Sequence, residues 1–113
     1  RIYAPVWREQ SPNGLALLID RLHAAIAANE VLRLDYRDEA GRSSLREVEP
    51  LCLAFWGGAW TLGTWCRLRG DFRNFRPDRI EAYAATGEIF PRREGGDLAT
   101  YLRTMRDHYE GME

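Results

Sequence analysis

The sequence predicts a mainly-β α+β domain: one helix, then five short antiparallel strands bent into a small barrel, then a C-terminal helical segment. Three observations predict it. Apolar residues between positions 15 and 26 recur at helical spacing. Residues 31 to 84 instead form short runs with alternating polarity, divided by turn residues. Gly57-Gly58 joins two of these runs, and the favoured two-residue hairpin needs positive φ at both central positions. A chain of 113 residues suits one domain with one core.

Residues 1–11 hold Tyr3, Pro5 and Trp7 without a clear period, and read as an extended lead-in arm. Their aromatics need cover, either from the body or from a neighbouring domain. Ser11 is a good N-cap and Pro12 suits a first helical turn. Leu15, Leu18, Ile19, Leu22, Ala25 and Ile26 make the apolar stripe, and Asn29 suits a left-handed C-cap. His23 falls off the stripe and reads as a surface residue. Val31 to Asp38 alternates as a half-buried strand. Ser44 to Trp56 is a longer strand, bent or bulged at Pro50, and Ala59 to Cys66 pairs with it. Phe72 to Arg76 and Arg79 to Ala84 complete the five, with Gly87 to Pro91 leaving the sheet. Asp97 caps a final helix carrying Leu98, Tyr101, Leu102 and Met105 on one face. The organisation is thus arm 1–11, helix-plus-barrel domain 12–92 and C-terminal helical extension 93–113.

Bulk chemistry narrows the function. The net charge of -1 argues against a uniformly basic nucleic-acid coat but allows a local basic site. All 16 basic residues are arginine. A straight hairpin register places Cys66 opposite Glu49 and offsets it from Cys52, so a strain-free disulfide is not expected. Reduced cysteines indicate a cytoplasmic protein. The two histidines have no ligand-like spacing to the cysteines, so no metal or cofactor is expected. No apolar run approaches the roughly 20 residues that span a membrane. The chain begins at Arg1 without a leader-like segment and reads as part of something longer.

Catalysis has no support. His108 neighbours Asp107, but adjacent helical residues do not face each other. Ser43 and Ser44 lack a strand-to-helix elbow, and no helix follows Gly57-Gly58 to make a phosphate loop. Glu47 and Glu49 share a strand face that reads as solvated. No catalytic residue is assigned.

Binding has more. Alternation puts Leu51, Leu53, Phe55, Trp60, Leu62 and Thr64 on the core face of the hairpin. The other face holds Arg46, Val48, Pro50, Cys52, Ala54, Thr61, Gly63 and Trp65, provided Pro50 does not shift the register. Small residues make room there, Trp65 offers a stacking plane and Arg46 a charge, a combination that can hold a base and its phosphate. Arg73, Arg76 and Arg79 follow within seven residues, and forked guanidinium groups suit phosphate or carboxylate. Arg73 shares a face with Phe75, and Asn74 shares one with Arg76. An arginine buried beside Phe75 needs a carboxylate such as Asp78 or Asp35. Tyr36 and Trp56 read as core or rim residues.

Five segments together carry a resemblance: the apolar helix, Leu34-Asp-Tyr36, Arg46-Glu-Val-Glu-Pro50, Gly58-Ala-Trp60-Thr61-Leu62, and Phe72-Arg-Asn-Phe-Arg-Pro-Asp-Arg-Ile80. From about Leu15 to Phe90 the chain resembles the WYL domain of bacterial transcription factors, particularly the YafY-like branch grouped with DeoR-type regulators. The name-giving Trp-Tyr-Leu triplet reads Trp60-Thr61-Leu62 here. The resemblance implies an Sm-like or SH3-like barrel that senses a ligand, beside a winged helix-turn-helix domain of the same parent chain, in a dimeric protein. It also implies a basic pocket formed by Arg46, Arg73, Arg76 and Arg79, with nucleotides or single-stranded DNA or RNA as ligands.

The reading is a non-enzymatic sensor of an anionic effector, contacted by Arg46, Thr61, Trp65, Arg73, Asn74, Arg76 and Arg79. The rival is a dimerisation or interdomain module whose arginines form interface salt bridges.

Overall fold

The computed structural model describes residues 5–8 and 11–111, with backbone alone for Trp56 and residues 108–111. Tyr3 of the arm and the side chains of Trp56 and His108 therefore lie outside the described residues. The chain runs β1 (Val6–Trp7), α1 (Pro12–Ala28), β2 (Glu30–Arg37), β3 (Ser43–Trp56), β4 (Ala59–Cys66), β5 (Asp71–Phe75), a 3-10 turn (Pro77–Arg79), β6 (Ile80–Ile89) and α2 (Leu98–Gly111).

The six strands form one antiparallel sheet in the order β1-β6-β2-β3-β4-β5. The sixth strand is the arm: Val6 pairs with Tyr83 and Trp7 with Ala82, extending the edge of β6. Among the described residues no ladder joins β5 to β1, so the sheet is open along its hydrogen bonds. The last long strand also runs further than expected. Glu30 pairs with Ile89, and Phe90 is buried, its N–H donating to the Asn29 carbonyl at 2.9 Å.

The caps of α1 form as the residues dictate. Ser11 Oγ accepts the Gly14 N–H at 3.1 Å, Pro12 opens the helix, and Asn29 closes it at φ 52, ψ 43. Leu18, Leu22 and Ala25 bury that stripe against Leu32, Leu34, Val48, Leu62, Phe75 and Ile80. Each such aliphatic side chain contributes about 1.5–3 kcal/mol by leaving water. Gly57 and Gly58, at φ 61 and 81, make the hairpin turn.

One irregularity rearranges the faces. The hairpin pairs Phe55 with Trp60, Leu53 with Leu62 and Cys52 with Gly63, and then the ladder shifts between Pro50 and Cys52. Pro50 has no N–H to give to a ladder, and Leu51 is the extra residue. Beyond it Pro50 pairs with Thr64, Glu49 with Trp65 and Val48 with Cys66. Cys66 is thus opposite Val48, not Glu49. Leu51 leaves the expected core face and joins a second cluster with Val31, Phe90 and Tyr101. Arg46, Val48 and Pro50 move the other way, onto the face that carries Leu34 and Leu62.

The second cluster sits under α2. Asp97 caps that helix, its Oδ1 accepting the Thr100 N–H at 2.9 Å and the Thr100 hydroxyl at 2.8 Å. Tyr101 and Met105 pack with Cys52 and Phe72. The small-residue face that alternation leaves open is therefore covered. A Cβ built at Gly63 would overlap the Tyr101 ring and approach Cys52 Sγ, so glycine is what lets α2 come down on the sheet. Burial pushes the Cys52 thiol above its usual value.

Candidate functional site

Residues opposite one another in a ladder point to the same side of the sheet. That rule sorts the seven predicted contacts. Arg46 pairs with Leu34, Arg73 with Thr64, and Phe75 with Leu62, so both arginines stand on the α1 side. Ser44, Thr64 and Cys66 share this face with them. Arg46 lies over its neighbours, Nε donating to Ser44 Oγ at 3.2 Å and Nη1 to Cys66 Sγ at 3.8 Å. Thr64 Oγ1 donates to the Arg73 carbonyl at 2.9 Å, which leaves the Arg73 side chain unengaged by it. Arg73 is exposed, and neither it nor Arg46 meets a carboxylate among the described residues.

The arginine expected to be buried beside Phe75 is Arg73 by position, yet it is exposed and unpaired. The carboxylate partner belongs to Arg76 instead. Asp78 takes Arg76 Nε at 2.9 Å and Nη2 at 2.6 Å, a forked pair that raises the guanidinium pKa further. The Arg76 N–H donates to Tyr36 Oη at 3.0 Å, and Tyr36 meets the Phe75 ring edge to face at 4.9 Å. The aromatic floor thus holds the start of the Pro77–Arg79 turn. Arg79 lies past this corner, beside Arg8, Arg37 and Glu81, with no ion pair of its own among the described residues.

Thr61, Trp65 and Asn74 stand on the opposite face. The structure therefore does not gather the seven residues into one site. Asn74 is engaged by α2: Tyr101 Oη donates to its Oδ1 at 2.5 Å, and its Nδ2 reaches Met105 Sδ at 3.5 Å. Trp65 meets Phe72 edge to face at 5.3 Å and carries the Arg93 guanidinium at 5.5 Å from its ring centre.

That side also holds a charge cluster the sequence reading missed. Glu49, expected to be solvated, is 1% exposed. Its Oε2 accepts Arg93 Nη2 at 2.6 Å and Arg67 Nε at 3.0 Å. Arg67 continues to Glu88 through Nη1 at 3.0 Å and Nη2 at 2.6 Å, and these carboxylates hold its pKa well above the usual value. The pairing of Glu49 with Trp65 is the signal that could have exposed it. It follows only from the bulge, which turns Glu49 inward beside the tryptophan.

No helix among the described residues is long and apolar enough to cross a membrane. Residues 18–85 match the WYL domain family. The chain is 32% identical over 77 residues to the uncharacterized HTH-type transcriptional regulator YobV of Bacillus subtilis strain 168, an alignment covering 68% of this chain and 25% of YobV. It also resembles the solved structure of proteasome accessory factor B/C of Arthrobacter aurescens, with TM-score 0.64 and 28% identity over 73% of this chain and 13% of that one. The chain spans about a quarter of the length of the curated relative it matches. The C-terminal part of α1, the Pro50 bulge and the basic corner after β5 lie within the matched span, and the chain belongs to the WYL domain family.

Proposed function

We propose that this chain is the effector-sensing module of a helix-turn-helix transcriptional regulator, and that it binds an anionic ligand through the arginine face. The observation that supports it most is Arg46 and Arg73 on one sheet face, beside Ser44 and Thr64, with no carboxylate opposite either among the described residues. Guanidinium groups without a carboxylate partner keep their charge available for a phosphate. Arg79 extends the charge around the corner, and Arg76, fixed by Asp78, positions that corner. Thr61, Trp65 and Asn74 form a separate set on the α2 side and would stack or bond a longer strand only if it wrapped the β4–β5 edge. The ligand class is a nucleotide or short single strand. The parent is read as a cytoplasmic dimer with a winged helix-turn-helix domain and no catalytic step. The sensing unit is read as residues 12–92, an open sheet curved in the manner of an Sm-like barrel, braced by the arm strand and by α2.

Fluorescence anisotropy of labelled single-stranded oligonucleotides, with a mononucleotide competitor, tests this. Saturable binding that weakens with salt and is lost in Arg46→Ala/Arg73→Ala is expected. Unchanged affinity in that folded double variant would sink the assignment.

A further inference from the structure

A cavity lies away from the arginine face, and neither Arg46 nor Arg73 lines it. Its volume is about 540 Å³, within the range of small-molecule sites. Three pieces of chain meet there: the end of α1, the Pro50–Leu51 bulge, and the first turns of α2 with the segment before it. Ile26, Pro50, Leu51, Phe90, Leu98 and Leu102 make its walls apolar. Leu98 and Leu102 are 40% and 53% exposed, so the helix presents them to this space more than to the core.

The polar groups at the cavity are unbalanced in a particular way. The acceptors are used up inside the fold. Glu49 takes Arg67 and Arg93, while Asp97 takes Thr100 through one oxygen and Arg92 Nε through the other at 2.9 Å. The donors are not used up. Arg92 spends Nε alone on Asp97, and Arg93 spends Nε and Nη2 on Glu49. Both Nη atoms of Arg92 and Nη1 of Arg93 have no partner among the described residues. A ligand that fits must bring an apolar body for the walls and acceptor oxygens for the spare N–H groups of Arg92 and Arg93, which stand at the solvent-facing rim. One carboxylate meets that need, because a forked donor matches its two oxygens.

We propose that this cavity binds a small monocarboxylate with an apolar body. Neither a mononucleotide nor inorganic phosphate suits it, since the walls offer little to a polyhydroxylated or multiply charged molecule. The site joins the sheet to α2, so occupancy ties the helix to the body.

Titration calorimetry of the 113-residue chain with octanoate, and separately with 1-octanol, tests the proposal. Saturable octanoate binding is expected, with octanol about tenfold weaker, and Arg92→Gln should weaken octanoate by a similar factor. Ala99→Trp, which fills the cavity from the exposed side of α2, should abolish it. Amide shift mapping on the unaltered chain gives an independent location, and changes should centre on residues 50–51, 90–93 and 97–102. No saturable octanoate binding overturns the site. Equal affinity for octanol overturns the carboxylate assignment. Shifts centred on β4 and β5 instead overturn the location.

Discussion

Taking Glu49 out of water removes the solvation of a full charge, and the fold compensates with two guanidinium groups, one from the end of β4 and one from the segment leading to α2. Removing the carboxylate leaves both arginines facing each other. Arg67 keeps Glu88 and both guanidinium groups remain partly solvated, so the loss should fall below that of a fully buried pair. Glu49→Ala is predicted to destabilise the chain by about 2 kcal/mol in urea denaturation. A change near zero would mean that the cluster is solvated. Asp97 makes a pH prediction. The Thr100 N–H, the Thr100 hydroxyl and Arg92 hold its carboxyl well below the usual carboxylate range. A depressed folded value means stabilisation that is present above the ordinary carboxylate pKa, about 4, and lost as pH falls through the folded value. The difference in melting temperature between the unaltered chain and Asp97→Ala should be full at neutral pH and shrink steadily below pH of about 4. A pH-independent difference would contradict the carboxylate cap.

At the scale of elements, one proline decides which residues are neighbours. The bulge at Leu51 keeps Leu53 and Leu62 under α1 while turning Glu49 and Leu51 toward α2. Without it Arg46 and Trp65 would share a face, as strict alternation predicts. The close approach of α2 depends on Gly63. Gly63→Ala forces the Tyr101 ring or Cys52 to move, and overpacking of this kind costs about 1–3 kcal/mol. Adding Tyr101→Ala to Gly63→Ala should recover part of that loss, because the two changes share one contact. Strict additivity in a thermal-denaturation cycle would place the strain elsewhere.

Across the whole molecule, the sheet has two apolar sides and needs a helix on each. The family match ends at residue 85, yet Phe90, Tyr101 and Met105 beyond it complete the second cluster. A chain ending at Pro91 should expose Val31, Leu51 and Phe72, bind a hydrophobic dye and melt less cooperatively than the full 113 residues. Cooperative melting without dye binding would show that α2 is dispensable. The same placement separates two chemistries: arginines without carboxylate partners on the α1 side, and an apolar pocket rimmed by Arg92 and Arg93 against α2.

Local chemistry alone determined much of this protein. Ser11, Pro12 and Asn29 bound α1, Gly57-Gly58 sets the hairpin, Asp97 starts α2, and the segments around Arg46 and Arg73 carry the family resemblance, because caps, tight turns and motifs depend on residues close in sequence. Tertiary structure decided what those residues face. Alternation has a period of two, so a single extra residue at Leu51 exchanges the sides of everything before it, and that choice follows from which face α1 and α2 can bury. It moved Arg46 away from Trp65 and made Glu49 a buried anchor instead of a solvated acid.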